Sequence, residues 1–189
     1  MVSFRYGFYT TNTLVSILPL VHHRWALPLL AELHGLGGGA RFVLLLHGLG
    51  ASRDSLRQTL AALIEEGLVM RNPGYGHPLR PEYVLTPRGR RIAPACATLV
   101  AALRREGVED VALKKWSIPV LLALSSERRF AELREALGAS PRALTLALKE
   151  LAEAGLVERL VHDGFPPTSS YRLTRRARML RRAASRIAV

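Results

Sequence analysis

This chain of 189 residues has little cysteine and no apolar stretch long enough to cross a bilayer. Cys96 is the only cysteine, which rules out an internal disulfide and is typical of proteins kept in a reducing compartment. The apolar stretch from Leu14 to Val21 is interrupted by Ser16 and Pro19, so it is too short to span a membrane and makes a poor signal peptide. We therefore expect a cytoplasmic protein with no membrane partner.

Acidic side chains are also scarce, with 15 Asp and Glu against 27 Lys and Arg, which leaves a net charge of +12. Residues 1–112 carry 12 basic and 8 acidic side chains, and residues 113–189 carry 15 and 7, so the net charges are +4 and +8. Such an excess is typical of proteins that bind nucleic acid or an anionic membrane. However, 24 of the 27 basic residues are Arg, and Ala and Leu are abundant too, so coding-sequence bias is an alternative explanation.

The chain contains an internal repeat. Residues 41–71 match residues 129–159 at a constant offset of 88, with 15 of 31 positions identical. The identities include the run Gly50-Ala51-Ser52, which matches Gly138-Ala139-Ser140. Upstream the offset changes by three residues, which Gly37-Gly38-Gly39 accounts for. Two copies of one module therefore lie in one chain, and each, at about 70 residues, is near the lower limit for an independent core.

Each copy has the pattern of a helix-turn-helix. In the second copy, Phe130, Leu133 and Leu137 lie on one face of a short helix that ends at Gly138. Ser140-Pro141 then begins another helix, because serine caps a helix and proline suits its first position. One face of that helix carries Leu144, Leu148 and Leu151, and the first copy repeats both helices with Phe42, Leu45, Leu49, Gly50, Ser52, Leu56, Leu60 and Leu63. Upstream, Ser117 is the expected N-cap of the first core helix of the second copy.

A two-stranded hairpin is predicted after each helix pair, because an apolar run, a Gly/Pro-rich stretch and an alternating run follow in order. The predicted strands are residues 68–72 and 82–86 in the first copy, and 156–161 and 169–174 in the second.

A helix-turn-helix with such a hairpin is a winged helix. The predicted fold is therefore mainly α with small β-hairpin wings, as two tandem winged helix-turn-helix domains. The predicted division is an N-terminal segment at 1–21, a winged-helix domain at 22–87, a linking helix and linker at 88–111, and a second winged-helix domain with a C-terminal helix at 112–189.

Several motifs of the second copy resemble those of the HxlR-type winged-helix regulators, which are relatives of the MarR group. They are Arg129-Phe130-Ala131-Glu132-Leu133, Ser140-Pro141-Arg142-Ala143-Leu144, the stretch 151–159 and Tyr171-Arg172-Leu173-Thr174. The resemblance covers most of residues 114–176 and, more weakly, 23–92. It implies a prokaryotic DNA-binding transcription regulator of a kind that normally acts as a homodimer of one module. This chain departs by carrying two modules, and it lacks the cysteine that many members have before the first core helix, which argues against redox sensing by that route.

The second helix of each helix-turn-helix, the recognition helix, is predicted to contact DNA. In this motif it lies in the major groove, and its N-terminal residues reach the base edges. With the leucines facing inward at 100° per residue, four residues of each recognition helix face outward or flank that face. They are Arg53, Asp54, Arg57 and Gln58 in the first copy, and Arg142, Thr145, Leu146 and Lys149 in the second. Gln can pair with adenine, and Arg with guanine or phosphate.

Leu146 is unusual because it occupies the position of Gln58, where a polar side chain is expected. It can contact a thymine methyl group, which makes the second copy a weaker base reader. Alternatively, the second copy has lost base readout and contacts only phosphate, or it contacts a protein.

The wings add basic side chains that are candidates for backbone or minor-groove contacts. They are Arg71, His77 and Arg80 in the first copy, and Arg159, His162 and Arg172 in the second. The alternative is that they are solvated surface charges. The C-terminal arginines likewise either contact DNA or belong to a helix that packs on the first copy through Leu180, Ala183 and Ile187.

No catalytic or metal-binding motif is complete. Residues 43–50 resemble the strand and His-Gly turn of α/β-hydrolases, but the chain has no Gly-x-Ser-x-Gly motif and the segment aligns with a helix of the second copy. The histidine pair His22-His23, with His34 or His47, has no cysteine or acidic cluster to complete a metal site. Gly37-Gly38-Gly39 precedes no Lys-Ser/Thr and is interpreted as a flexible connector. We expect no enzyme activity, no metal and no cofactor.

The sequence favours a sequence-specific regulator that binds double-stranded DNA through two winged helices arranged as an intramolecular pseudo-dimer. Its expected state is a monomer with an internal pseudo-two-fold axis, or a homodimer. A protein-interaction scaffold in a transcription or chromosome assembly, without base readout, is the alternative. A third hypothesis is a repressor with a small-molecule effector of unknown identity bound between the copies, where the apolar side of the linking helix lines a pocket.

Overall fold

The computed structural model describes residues 17–18, 20–72, 81–163 and 168–187. The first copy contains α1 (Ala26–Gly35), β1 (Gly39–Arg41), α2 (Phe42–Leu49), α3 (Arg53–Glu65), β2 (Val69–Asn72) and β3 (Glu82–Leu85). The joining helix α4 (Pro87–Arg105) and the short helix α5 (Glu109–Ala112) follow. The second copy contains α6 (Ser117–Ala123), β4 (Arg128–Arg129), α7 (Phe130–Leu137), α8 (Pro141–Glu153), β5 (Val157–His162) and β6 (Thr168–Leu173), and the C-terminal helix α9 (Arg175–Ser185) comes last. The prediction of a mainly helical chain with two tandem winged helices is confirmed.

The predicted hairpin of each wing is confirmed, and a third strand that was not predicted completes each sheet. The strand orders are β1-β3-β2 and β4-β6-β5, and all the pairs are antiparallel. The extra strand in the first copy begins at Gly39, which corrects the interpretation of the triple glycine as a flexible connector. A Cβ atom on Gly39 would lie 2.8 Å from Cγ1 of Val84, so only glycine lets the two strands approach this closely. Gly38 also accepts a hydrogen bond from the Leu85 amide, at 2.8 Å.

Caps and buried leucines fix the helix-turn-helix in both copies. The Ser52 hydroxyl accepts the amide hydrogen of Ser55 at 3.1 Å, and the Ser140 hydroxyl accepts that of Ala143 at 3.3 Å. The turn before each cap contains a glycine in the left-handed region, with φ of 63° at Gly50 and 61° at Gly138. The three predicted inward leucines of α3 and of α8 are all buried, namely Leu56, Leu60, Leu63, Leu144, Leu148 and Leu151.

The two copies share one hydrophobic core through the joining helix and the C-terminal helix. Helix α4 packs on α1, and α9 packs on both α4 and α6. Leu180 and Ile187 are buried, and Ile187 lies beside Leu20 and Leu68 of the first copy. Nε of Arg176 on α9 also lies 2.6 Å from the carboxylate of Glu106, which follows α4. Of the two alternatives for the C-terminal segment, the structure supports a helix that packs on the rest of the protein, against the joining helix and α6, and it does not test DNA contact by the arginines.

Helix α6 begins differently from the prediction. Trp116, rather than Ser117, is the N-cap residue. Ser117 is buried, and its hydroxyl donates a hydrogen bond of 2.7 Å to the carbonyl of Val111. A buried hydroxyl needs such a partner, so Ser117 ties α6 to α5 instead of capping α6.

No helix in the described ranges is both long and apolar enough to cross a membrane.

Candidate nucleic-acid interface

Recognition helix α3 of the first copy presents a polar outward face. Arg53, Asp54, Arg57 and Gln58 are all exposed, whereas Leu56 between them is fully buried. One guanidinium nitrogen of Arg57 lies 3.6 Å from the carboxylate of Asp54, and both side chains are mostly solvent-exposed. An exposed pair of this kind is weak, so Arg57 can exchange Asp54 for a phosphate or a base. The Gln58 side chain has both a donor and an acceptor to offer.

Recognition helix α8 of the second copy presents different chemistry on its outward face. Arg142, Thr145, Leu146 and Lys149 are exposed. Leu146 has 55% of its surface exposed, although neighbouring Leu144 and Leu148 are buried. Nζ of Lys149 lies 3.8 Å from the carboxylate of Glu153, one helical turn away. This surface can therefore contact phosphate and a thymine methyl group, but at position 146 it offers no hydrogen bond to a base.

The wing of the first copy is described only in part. Arg71 is exposed on β2 and has no acidic side chain within 4.0 Å among the described residues. His77 and Arg80, the other two candidates on this wing, lie outside the described residues.

In the wing of the second copy, basic side chains form hydrogen bonds with other residues of the same wing. Arg159 donates a hydrogen bond of 2.9 Å to the Ser169 hydroxyl, and Nε of Arg172 donates one of 2.7 Å to the Glu158 carboxylate. These side chains remain exposed, and surface ion pairs contribute little free energy. Contact with DNA would thus require only a local exchange of partners.

His162 belongs to a polar cluster that sequence reasoning missed. Its Nε2 lies 2.6 Å from the Ser170 hydroxyl and 3.2 Å from the carboxylate of Glu127. Ser170 in turn donates a short hydrogen bond to Glu127, a residue 43 positions away in the chain. That hydrogen bond, supported by the nearby His162 and Arg172, lowers the pKa of Glu127 below its usual value. No local pattern links such distant residues, so only the pairing of β4 with β6 reveals the cluster.

The single thiol lies in the core. Cys96 is fully buried on α4, and burial raises the pKa of its thiol to about 12. A thiol in this environment is protonated at neutral pH and inaccessible, so it is a poor nucleophile.

A groove of about 420 Å³ lies between the joining helix and the C-terminal helix. It is lined on one side by Thr98, Ala101 and Ala102, and on the other by Met179 and Ala183. The hypothesis of a bound effector put the apolar side of the joining helix along a pocket, but Leu99 and Leu103 of that side are buried and do not line this groove.

Each curated relative matches less than half of the chain. One is an uncharacterized HTH-type transcriptional regulator of Synechocystis, 42% identical over 73 residues, which cover 38% of this chain and 54% of the relative. Others are uncharacterized HTH-type transcriptional regulators of Mycobacterium bovis and Mycobacterium tuberculosis, each 40% identical over 83 residues, or 44% of this chain and 51% of the relative. The chain thus spans about half the length of the curated relatives it matches.

The model of the HxlR-like helix-turn-helix family matches the chain twice, at residues 20–107 and again at residues 111–188. The two matches follow the two copies, and each contains one complete helix-turn-helix. The chain therefore belongs to the HxlR-like helix-turn-helix family, with two family units in tandem.

Proposed function

We propose that this protein is a sequence-specific, DNA-binding transcription regulator whose two winged helices act as a pair within one chain. The observation that carries the proposal is the pair of capped recognition helices, α3 and α8, which bury their leucines and expose Arg, Gln, Thr and Lys. The net charge of +12 supports attraction to DNA phosphates. Relatives named as HTH-type transcriptional regulators support the same function.

The way in which the copies are connected supports the paired arrangement. Helix α9 packs on α4, so the last helix of the second copy lies against the helix that ends the first. In dimeric helix-turn-helix proteins, two recognition helices enter major grooves about one helical turn (34–36 Å) apart. We propose that the fusion supplies this pair without a second chain. Because Gln58 and Leu146 differ, the two half-sites differ in sequence.

Charge reversal on one recognition helix tests base and phosphate contact. The Arg53→Glu/Arg57→Glu variant should lose about a hundredfold or more in affinity for a DNA sequence selected from a random pool, because two Arg contacts are each worth about 1–3 kcal/mol. The matched control is Arg91→Glu/Arg105→Glu, which makes the same change in net charge at exposed positions of α4. Equal losses in both variants, or wild-type binding that random DNA competes for equally well, would overturn the proposal.

The exposure of Leu146 favours one other function, a protein-interaction scaffold that does not read bases. A 55% exposed leucine on the outward face suits a partner surface at least as well as a base edge. In that case the Arg53→Glu/Arg57→Glu variant would keep its DNA affinity and Leu146→Glu would lose a protein partner in pull-downs.

A further inference from the structure

A basic pocket lies at the foot of the second wing, and no residue of recognition helix α8 lines it. It is an open pocket of about 300 Å³, bounded by the loop after α6, the end of β6 and one face of α9. Its lining consists of Leu124, Ser125, Ser126, Glu127, Arg172, Leu173, Arg178, Arg181 and Arg182. We call it the arginine pocket.

Positive charge dominates this pocket. Arg178, Arg181 and Arg182 stand three and four residues apart, so they share one face of α9. None of the three has an acidic side chain within 4.0 Å among the described residues, whereas Arg172 pairs with Glu158. Three guanidinium groups therefore line one cavity, and none of them forms an ion pair with an acidic side chain of the described residues.

Arg181 carries a buried donor that no atom of the described residues accepts from. Its Nε is buried and is the only buried side-chain nitrogen or oxygen in the described part of the chain that lacks a hydrogen-bond partner. Leaving a buried donor unsatisfied costs about 1–3 kcal/mol, and more for a charged group. Native proteins rarely tolerate this, so such a group calls for an explanation, and a bound acceptor is one.

The one carboxylate in the lining does not serve as that acceptor. Oε1 of Glu127 accepts a hydrogen bond from Ser170 and lies 3.2 Å from Nε2 of His162, so it contacts the wing and not the arginines. No arginine lies within ion-pair distance of Glu127 in the described residues. The carboxylate therefore lowers the positive potential of the pocket without satisfying Arg181.

The first copy lacks this concentration of charge. At the same offset of 88, Val84, Ala93 and Pro94 replace Arg172, Arg181 and Arg182. Only Arg178 has a basic equivalent, Arg90, whose Nε donates a 3.4 Å hydrogen bond to the Leu85 carbonyl. Since the winged helix of the first copy forms without these three arginines, the shared fold does not require them.

We propose that the arginine pocket binds a small organic anion. Guanidinium groups match carboxylate and phosphate oxygens in a planar, bidentate geometry, so Arg178, Arg181 and Arg182 would hold that group. The buried side chains of Leu124 and Leu173 offer a small apolar wall for the rest of the molecule. Ligand pockets span about 300–1,000 Å³, and this volume is at the small end of that range.

A DNA phosphate carries the same chemistry, so the experiment must separate the two sources. The position of the pocket favours a small molecule. It lies at the Leu173 end of β6, the opposite end of the strand from Thr168. The proposal does not depend on DNA binding, and anion binding can be measured on the full chain alone.

Isothermal titration calorimetry of the full-length protein tests the proposal, at an ionic strength of about 0.15 M so that weak surface attraction is screened. The probes are phenyl phosphate and benzoate, and the neutral control is benzamide. We expect saturable binding of at least one anion, with one site per chain, and none of benzamide. Arg178→Gln/Arg182→Gln and Arg181→Met should each weaken that binding at least tenfold. Arg90→Gln, the equivalent change in the first copy, should leave it unchanged.

Three results would overturn the proposal. The first is no saturable binding of either anion at millimolar concentration. The second is that the Arg178→Gln/Arg182→Gln variant, which changes two exposed positions, binds the anion as tightly as the wild type. The third is that the same variant keeps its affinity for the anion but loses affinity for random-sequence duplex DNA. That result would mean that the arginines contact the DNA backbone. Thermal unfolding of each free variant shows whether Arg181→Met still folds.

Discussion

The two copies share the caps, turn glycines and buried leucines of their scaffold and differ on their exposed surfaces. In both, a threonine after the wing caps the next helix and donates a hydrogen bond back to a glycine carbonyl, from Thr86 to Gly67 at 2.7 Å and from Thr174 to Gly155 at 3.0 Å. The outward residues of the recognition helices, by contrast, match at no position. Caps, turn glycines and buried leucines therefore determine this fold, whereas the exposed side chains can differ and serve different functions.

The arginines that follow the wings extend the same comparison. Arg88 donates a hydrogen bond of 2.8 Å to the carbonyl of Glu66, and Arg176 donates one of 3.5 Å to that of Ala154, the equivalent residue. Arg176 also pairs with Glu106, which follows the joining helix. The same contact is thus present in both copies, and in the second copy the arginine also connects the last helix to the segment between the copies.

The largest effect is expected from the shared core. Leu56→Ala and Leu144→Ala each remove a fully buried side chain at equivalent positions, and each should lower the free energy of unfolding by about 2–5 kcal/mol. Because one core joins the copies, both variants should unfold in a single transition. Urea unfolding followed by circular dichroism measures this. Two separate transitions would show that the copies fold independently.

A smaller loss of stability is expected at one position where the scaffolds differ. Gly89 of the first copy corresponds to Ala177 of the second. A Cβ atom on Gly89 would lie only 2.0 Å from the Leu68 carbonyl oxygen, so Gly89→Ala must displace backbone and should cost about 1–3 kcal/mol. Gly35→Ala is the control, since a Cβ atom there meets no atom within 4 Å. Equal stability of the two variants in thermal unfolding would contradict the expected clash.

Exchange of Gln58 and Leu146 sharpens the comparison of the surfaces. Gln58→Leu should weaken the preference for adenine in one half-site by about 1–3 kcal/mol, and Leu146→Gln should create such a preference in the other. The double variant should then have the adenine preference in the other half-site only. Competition binding with operators that carry adenine in one or the other half-site measures the change. An unchanged preference would mean that these two residues do not contact bases.

The smallest effect is expected from the polar cluster of the second wing. Since the pKa of Glu127 is lowered in the folded protein, its ionised form stabilises the fold at pH values above about 4.5, the usual pKa. That contribution is lost as the pH falls through the depressed pKa. The difference in stability between wild type and Glu127→Gln should therefore shrink in acid, as followed by urea unfolding over a pH series. Glu135→Gln, at an exposed carboxylate outside the cluster, should show no such trend.

Sequence patterns predicted the elements that depend on local signals. Leucine spacing, the serine caps and the glycine turns locate α3 and α8, and the ends of the wing strands were predicted within about two residues. The third strand was missed because Arg128–Arg129 is too short to show a pattern and pairs only through distant Tyr171 and Ser170. Ser117 was misassigned because its partner, the Val111 carbonyl, becomes available only when α5 packs nearby.

The candidate site divides in the same way. The exposure of Arg53, Gln58, Leu146 and Lys149 follows from helical geometry, so sequence alone could place these side chains on the surface. The partners of Arg172 and His162 depend on strand register, which sequence did not provide. The arginine pocket requires the end of β6 and a face of α9 to meet. In the sequence, the charge of this pocket stands out only when the two copies are aligned, because Val84, Ala93 and Pro94 align with three of its arginines.

Hydroxyl-radical footprinting of a selected operator, combined with measurement of the number of chains bound, tests the paired arrangement most directly. One chain should protect two segments on the same face of the duplex, centred about 10–10.5 base pairs apart. The Arg142→Glu/Lys149→Glu variant should lose protection of one segment and keep the other. Protection of a single segment by each chain, or a requirement for two chains to protect both, would contradict an intramolecular pair.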